Sequence, residues 1–225
     1  MAMKLAILIS GWLFIFTSFN GVMGASNCNY QKLKVKLEKV FDTANGKLKI
    51  ATLQVTKKNQ DPVIAFFQNN KQVFCRADYD TTPVDARATT AILLEDHAFI
   101  AFSTDGGSNK KTSFARFTKK GWQKSYGKGG GPKASVILKI DLKNGNVLAG
   151  TYLTARKKDG KTNSLTVEAI KKSGNNLLIE AKSWYSPLKT NGKPFNCAGK
   201  SPFDYSVEID YDLNKAIFAT AKNCK

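Results

Sequence analysis

The segment Gly121-Trp122-Gln123-Lys124-Ser125-Tyr126-Gly127-Lys128-Gly129-Gly130-Gly131-Pro132-Lys133 interleaves aromatic rings with lysines on a glycine-rich stretch. Aromatic faces stack on sugar rings or bases while neighbouring ammonium groups meet acidic substituents. A second group of this kind is Ser183-Trp184-Tyr185-Ser186-Pro187, followed by Lys189 and Lys193. Trp122, Lys124, Tyr126, Lys128, Lys133, Trp184 and Tyr185 are therefore the candidate binding residues. Large aromatics more often cap the ends of a core. Core packing is the first reading of Trp184, whereas the polar neighbours of Trp122 leave cap and platform level for that residue.

Acid–base chemistry has few candidates. His97, the single histidine, is flanked by Glu95 and Asp96. A carboxylate can orient an imidazole that relays protons, but this triplet falls at an expected hairpin turn, where consecutive side chains diverge into solvent. No nucleophile elbow, zinc-protease helix or phosphate-binding loop is present. Asp210, Asp212 and Asn214 have the spacing of the first calcium-loop ligands, yet Lys215 stands where the turn glycine belongs. Asp78, Asp80 and Asp85 are interrupted by Pro83. Both acidic runs read as turns, and no metal or cofactor is expected.

The net charge of +18 comes almost wholly from lysine, since Arg76, Arg87, Arg116 and Arg156 are the only arginines. Such a field attracts anionic polymers and membrane surfaces. Lysine is a hydrated point charge, whereas arginine serves planar, bidentate recognition of phosphate. The composition points to diffuse attraction of acidic polymers and lowers the prospect of a nucleic-acid partner. The competing reading is that the lysines keep the protein soluble and block edge-to-edge strand pairing. Five lysine pairs, Lys57-Lys58, Lys110-Lys111, Lys119-Lys120, Lys157-Lys158 and Lys171-Lys172, fall at or beside expected turns. On one end of the fold they would form a basic rim; divided between both ends they would be solubility charge.

The elements that must position these residues read as strands. Apolar residues alternate in short runs separated by Asn45-Gly46, Asp105-Gly106, Asn144-Gly145, Asp159-Gly160, Ser173-Gly174 and Asn191-Gly192, dipeptides suited to tight turns. The runs predict strands at 47–57, 62–68, 71–77, 88–95, 97–103, 113–118, 134–141, 146–155, 164–171, 175–184, 203–211 and 215–221. Residues 31–42 fit either period, with strand preferred. No Pro- or Ser-rich linker divides the chain, so residues 26–225 are expected to form one all-β domain.

Lys4 followed by the uncharged run Leu5 to Phe19 and the small residues around Gly24 and Ala25 has the layout of a signal peptide over residues 1–25. Secretion, extracellular or periplasmic, is the expectation. All four cysteines, Cys28, Cys75, Cys197 and Cys224, follow it, and an even count in an exported chain implies disulfides. A hairpin of strands 203–211 and 215–221 centred near Leu213 brings Cys224 opposite the stretch before Phe203. This favours Cys197–Cys224 with Cys28–Cys75 over a Cys28–Cys224 bridge tying the chain ends together.

Residues 134–184 resemble one blade of the secreted bacterial β-propeller repeat family. The resemblance rests on Ile137-Leu138-Lys139-Ile140-Asp141, Asn144-Gly145-Asn146, Thr151-Tyr152-Leu153, Val167 and Ala169, and Gly174-Asn175 before Leu178 and Ile179. It implies antiparallel hairpins closed as a small β-propeller, with a barrel or sandwich as the alternative. It implies no catalytic residues. The functional expectation is a secreted, non-enzymatic protein whose basic surface binds acidic polysaccharide or an anionic cell envelope. The rival is a secreted hydrolase or lyase using Tyr126, His97 and carboxylates on an acidic polysaccharide.

Overall fold

The computed structural model describes residues 27–44, 46–106 and 111–225. The expected signal peptide, Asn45 and Lys110 lie outside the described residues. The chain is all-β. A 3₁₀ turn at Tyr30–Lys32 leads into β1 (Val35–Thr43), β2 (Gly46–Thr56), β3 (Asn59–Gln68) and β4 (Lys71–Arg76), which form an antiparallel up-and-down sheet. A second sheet follows as β5 (Ala86–Leu94), β6 (His97–Thr104), β7 (Ala134–Asp141) and β8 (Val147–Leu153). After the two-residue strands β9 (Ala155–Arg156) and β10 (Thr162–Asn163), the third sheet is built from β11 (Leu165–Ser173), β12 (Asn176–Ser183), β14 (Phe203–Asp210) and β15 (Ala216–Ala221). The short β13 (Ser186–Pro187) joins β9 and β10 in a small fourth sheet of order β10-β9-β13.

The three large sheets stack face to face, and alternation in the middle one shows why. Ile100, Phe102, Val136, Leu138 and Ile140 point into a core shared with Leu48, Ile50, Ile64, Phe66 and Phe74 of the first sheet. Their neighbours Phe99, Ala101 and Ile137 point the other way, against Val167, Ile179, Val207 and Ile209 of the third. A strand buried on both faces is a near-continuous apolar run, as Ala98 to Phe102 is. The far face of the first sheet (Ala51, Val63, Ala65, Phe67) is covered by the N-terminal segment, which the Cys28–Cys75 disulfide pins in place. The far face of the third sheet carries charge instead, with Lys171 paired to Glu180 and Lys182 to Asp204. None of the sheets closes on itself, which corrects the barrel alternative; sheets packed face to face fit the sandwich.

Two local expectations are also revised. Residues 113–118 are not a strand: the Ser113 hydroxyl accepts the Ala115 N–H at 3.3 Å and starts a 3₁₀ turn, Phe114–Arg116. The lysine pairs do not share one rim. Lys57-Lys58 and Lys157-Lys158 sit at the end where β5, β7 and β11 begin, whereas Lys171-Lys172 sits by the β11–β12 turn at the opposite end.

The start of β3 carries buried acid. Asp61 is 6 % exposed, and its carboxylate accepts the Asn59 side-chain N–H at 3.4 Å. Asp80, close by, accepts from the Thr82 N–H and hydroxyl, while Asp85 accepts the Gln60 N–H. Desolvation, reinforced by the neighbouring Asp80 charge, pushes the Asp61 carboxyl up to about 6. A carboxyl that binds its proton more tightly in the folded than in the unfolded chain stabilises the fold below the unfolded value, and that contribution is lost as pH rises through about 6. Asp61→Asn should therefore flatten the decline in stability between pH 4 and 7. By thermal melting it should exceed the parent at pH 7.5 by about 3 kcal/mol and match it near pH 4.

Candidate functional site

A cleft of about 770 Å³ lies at the end of the stack where β8, β12 and β14 meet the small sheet. Its first wall is the β9–β10 hairpin. Beyond Leu153, the Thr154 N–H and hydroxyl both donate to the side-chain amide oxygen Oε1 of the buried Gln123, at 3.2 and 2.7 Å, fixing the direction in which the chain leaves β8. Arg156 then turns inward and donates to the Tyr126 carbonyl at 3.1 Å and to the Thr162 hydroxyl. Burial lowers the Arg156 guanidinium from its ordinary value, though such a group stays charged at any physiological pH. Lys157 to Gly160 close the tight turn, with the Gly160 N–H donating to the Lys157 carbonyl at 2.9 Å. Gly160 adopts a φ of 77°, which glycine tolerates without strain.

The aromatic residues enter from the end of β12. The Trp184 N–H reaches across to the Ser164 carbonyl at 3.0 Å, and the Ser183 hydroxyl donates to the Tyr185 carbonyl at 2.7 Å. These bonds hold the backbone while leaving Trp184 40 % and Tyr185 45 % exposed. Ser186 and Pro187 pair with Arg156 and Ala155, so Tyr185 stands beside the lysine turn. The Lys157 ammonium lies 5.6 Å from the centre of the Tyr185 ring.

The far wall is the stretch from Pro194 to Phe203. The Phe195 N–H donates to the Pro187 carbonyl at 2.9 Å, and Asn196 exchanges backbone hydrogen bonds with Lys225 at 2.8 and 2.9 Å. Cys197 and Cys224 face each other across this ladder and are joined, as Cys28 and Cys75 are. The pairing expected from the hairpin geometry is the one present.

The charge balance of the cleft is one-sided. Arg156, Lys157 and Lys158 line it without a carboxylate in ion-pair range among the described residues, and the one acid in the lining, Asp159, is paired to Lys161 at 3.2 Å. Exposed rings beside uncompensated cations can hold a flat ring by stacking while attracting negative substituents.

The other candidates have different fates. Trp122 is half-buried against the core of the third sheet, and its indole N–H donates to the Thr190 carbonyl at 3.0 Å, so it packs as a cap. Tyr126 is buried, donates to the Pro132 carbonyl at 2.7 Å and lies so close to Gly106 that a Cβ there would overlap the ring. Lys124 is exposed, its carbonyl accepting from the Thr118 hydroxyl at 2.7 Å. Lys133 is tied to Asp105 and Asp85 at 3.5 and 3.9 Å. Lys128, exposed, pairs through its backbone with Lys161 on the outer side of the hairpin.

His97 opens β6, whereas Tyr126 lies past the other end of that strand, beside Gly106. Seven residues of extended chain separate the two ends by about 23 Å, so these two groups do not form an acid–base pair. Asp210 accepts the Asn214 N–H at 2.9 Å within its own turn, and Asp78 forms a fork with Arg76 at 2.7 Å. Among the described residues no three acidic, histidine or cysteine side chains are placed to hold a metal ion, and no helix is long and apolar enough to cross a membrane.

Sequence reasoning brought Trp184 and Tyr185 forward but left Arg156, Lys157 and Lys158 outside the site. The signal for them was local: Lys157-Lys158-Asp159-Gly160-Lys161 is a tight turn with lysines on both sides. No protein-family model and no curated protein matches this chain.

Proposed function

We propose that this is a secreted, non-enzymatic protein that binds acidic polysaccharide in the cleft between the β9–β10 hairpin and the disulfide-closed far wall. The observation that carries the reading is the juxtaposition of the exposed Trp184 and Tyr185 with Arg156, Lys157 and Lys158, cations that outnumber the one acid of the lining, Asp159, and form no ion pair among the described residues. Sugars offer apolar ring faces to aromatics, and uronate or sulfate groups meet the cations. Two disulfides suit an oxidising compartment, which agrees with export through the expected signal peptide. We take each four-stranded meander as a blade-like unit of the propeller kind, because each is a simple up-and-down sheet packed through its faces.

The test is a titration of the mature protein with acidic and neutral oligosaccharides at low and high salt, with duplex DNA and anionic lipid vesicles as competitors. Saturable binding of acidic oligosaccharides that DNA and vesicles do not displace supports the reading. Preference for neutral sugars, DNA or vesicles overturns it.

A further inference from the structure

The small sheet does not stop at the hairpin. Its order is β10-β9-β13, and on the open side of β10 the backbone at Lys128 pairs in parallel with Lys161, the Thr162 N–H donating to the Lys128 carbonyl at 2.9 Å. Four chain segments thus lie side by side, from Ser186 beside Tyr185 to Lys128. Three inter-strand spacings make this ribbon about 14 Å wide, broader than a single sugar ring. Lysines mark its whole width: Lys157 and Lys158 on the turn, Lys161 on the neighbouring segment, where it pairs with Asp159, and Lys128 at the far margin, all exposed except the half-exposed Lys157, so that four cations stand against one carboxylate. Beyond Lys128, Gly129 to Gly131 are exposed, and a Cβ at Gly129 would meet only the Lys161 stem within 4 Å and one at Gly131 nothing. The margin is therefore open and positive.

We infer that this ribbon is a second subsite, continuous with the cleft, which takes the following acidic residues of the same polysaccharide chain, so that the protein selects a polymer by its length. The inference rests on the cleft reading above. A ligand of one or two sugars occupies Trp184 and Tyr185 alone. A longer acidic chain crosses the hairpin and meets Lys161 and Lys128 in turn. Each added contact between exposed charges strengthens binding at low salt by about fivefold at most, and linkage to the anchored end makes each later contact intramolecular.

The test is a series of acidic oligosaccharides from two to eight sugars, titrated at low salt against the parent, Lys128→Gln and a Lys128→Gln/Lys161→Gln pair. Parent affinity should rise with length. The single variant should lose about two- to fivefold, and the pair more, for the longest chain; the parent and the single variant should bind the disaccharide equally. Equal parent affinity for two and eight sugars overturns the ribbon subsite while leaving the cleft standing, as does equal affinity of all three proteins for the longest chain. If the single variant weakens disaccharide binding as much as it weakens binding of the longest chain, Lys128 acts through the general field and the subsite is overturned. Parent protein that binds no acidic oligosaccharide of any length overturns the cleft reading and this one with it.

Discussion

Replacing Trp184 and Tyr185 by alanine should abolish measurable binding of acidic oligosaccharide at every salt concentration, whereas replacing Lys157 and Lys158 by glutamine should weaken it only at low salt. The two losses separate because their physics differ. Stacking on an aromatic face is worth about 1–3 kcal/mol per ring and is not screened by ions. An exposed ammonium contributes about 0.2–1 kcal/mol, and this fades as the screening length falls from about 10 Å at 0.1 M to about 3 Å at 1 M. Both rings are substantially exposed in the parent, so their removal leaves no cavity in the core, and thermal melting of the variants should stay near the parent's. Calorimetric titration at both salt concentrations checks the prediction. An alanine pair that keeps parent affinity at 1 M salt would remove the rings from the site.

Removal of the Cys197–Cys224 bridge by a Cys197→Ser/Cys224→Ser pair should have the second large effect, on stability and on binding together. The bridge spans a sequence separation of 27 residues, and the chain-entropy view assigns about 3–4 kcal/mol to a closure of that length. The same bridge holds Asn196 and Cys197 against the C-terminal residues and so supports the far wall of the cleft. A Cys28→Ser/Cys75→Ser pair is the control, since that bridge spans 47 residues and pins the N-terminal segment onto the far face of the first sheet, away from the cleft. Denaturant unfolding should show comparable losses for both pairs. Oligosaccharide titration well below melting should show weakened binding for the first alone.

The hairpins were legible because alternation and turn chemistry agree in the same places. Ser173-Gly174 joins β11 to β12 and Asn144-Gly145 joins β7 to β8, each between runs that alternate. The ambiguity at 31–42 resolved to a strand from Val35, and the disulfide pairing followed from the β14–β15 hairpin alone. What was not legible depended on long-range contact. The stacking of three sheets rests on the middle one being buried on both faces, and an apolar run such as Ala98 to Phe102 does not say which neighbour each face meets. Two-residue strands such as β9, β10 and β13 have no period to read.

The candidate site shows the same division. Trp184, read first as core packing, is 40 % exposed, and Trp122, for which cap and platform stood level, packs as a cap. A polar neighbourhood said nothing of the carbonyl, 68 residues away at Thr190, that the Trp122 indole finds, nor of the turn that keeps Trp184 outside. Tyr126 stood in a glycine-rich run that reads as flexible, yet it is buried against Gly106, a glycine outside that run that lets the backbone pass close to the tyrosine ring. The lysines carried attraction in principle, but only the fold distinguishes those ion-paired to carboxylates, such as Lys133, from those that lie beside an aromatic ring without an ion pair among the described residues, such as Lys157.

The most direct measurement of the cleft reading is the fluorescence of Trp184 itself. Trp122→Phe leaves Trp184 as the single tryptophan of residues 26–225, and its half-exposed ring reports any ligand laid upon it. Titration of this variant with an acidic oligosaccharide should give a saturable change in Trp184 emission, with a midpoint that matches calorimetry and no response to a neutral sugar. Calorimetric binding with unchanged Trp184 emission would place the ligand elsewhere and contradict the account.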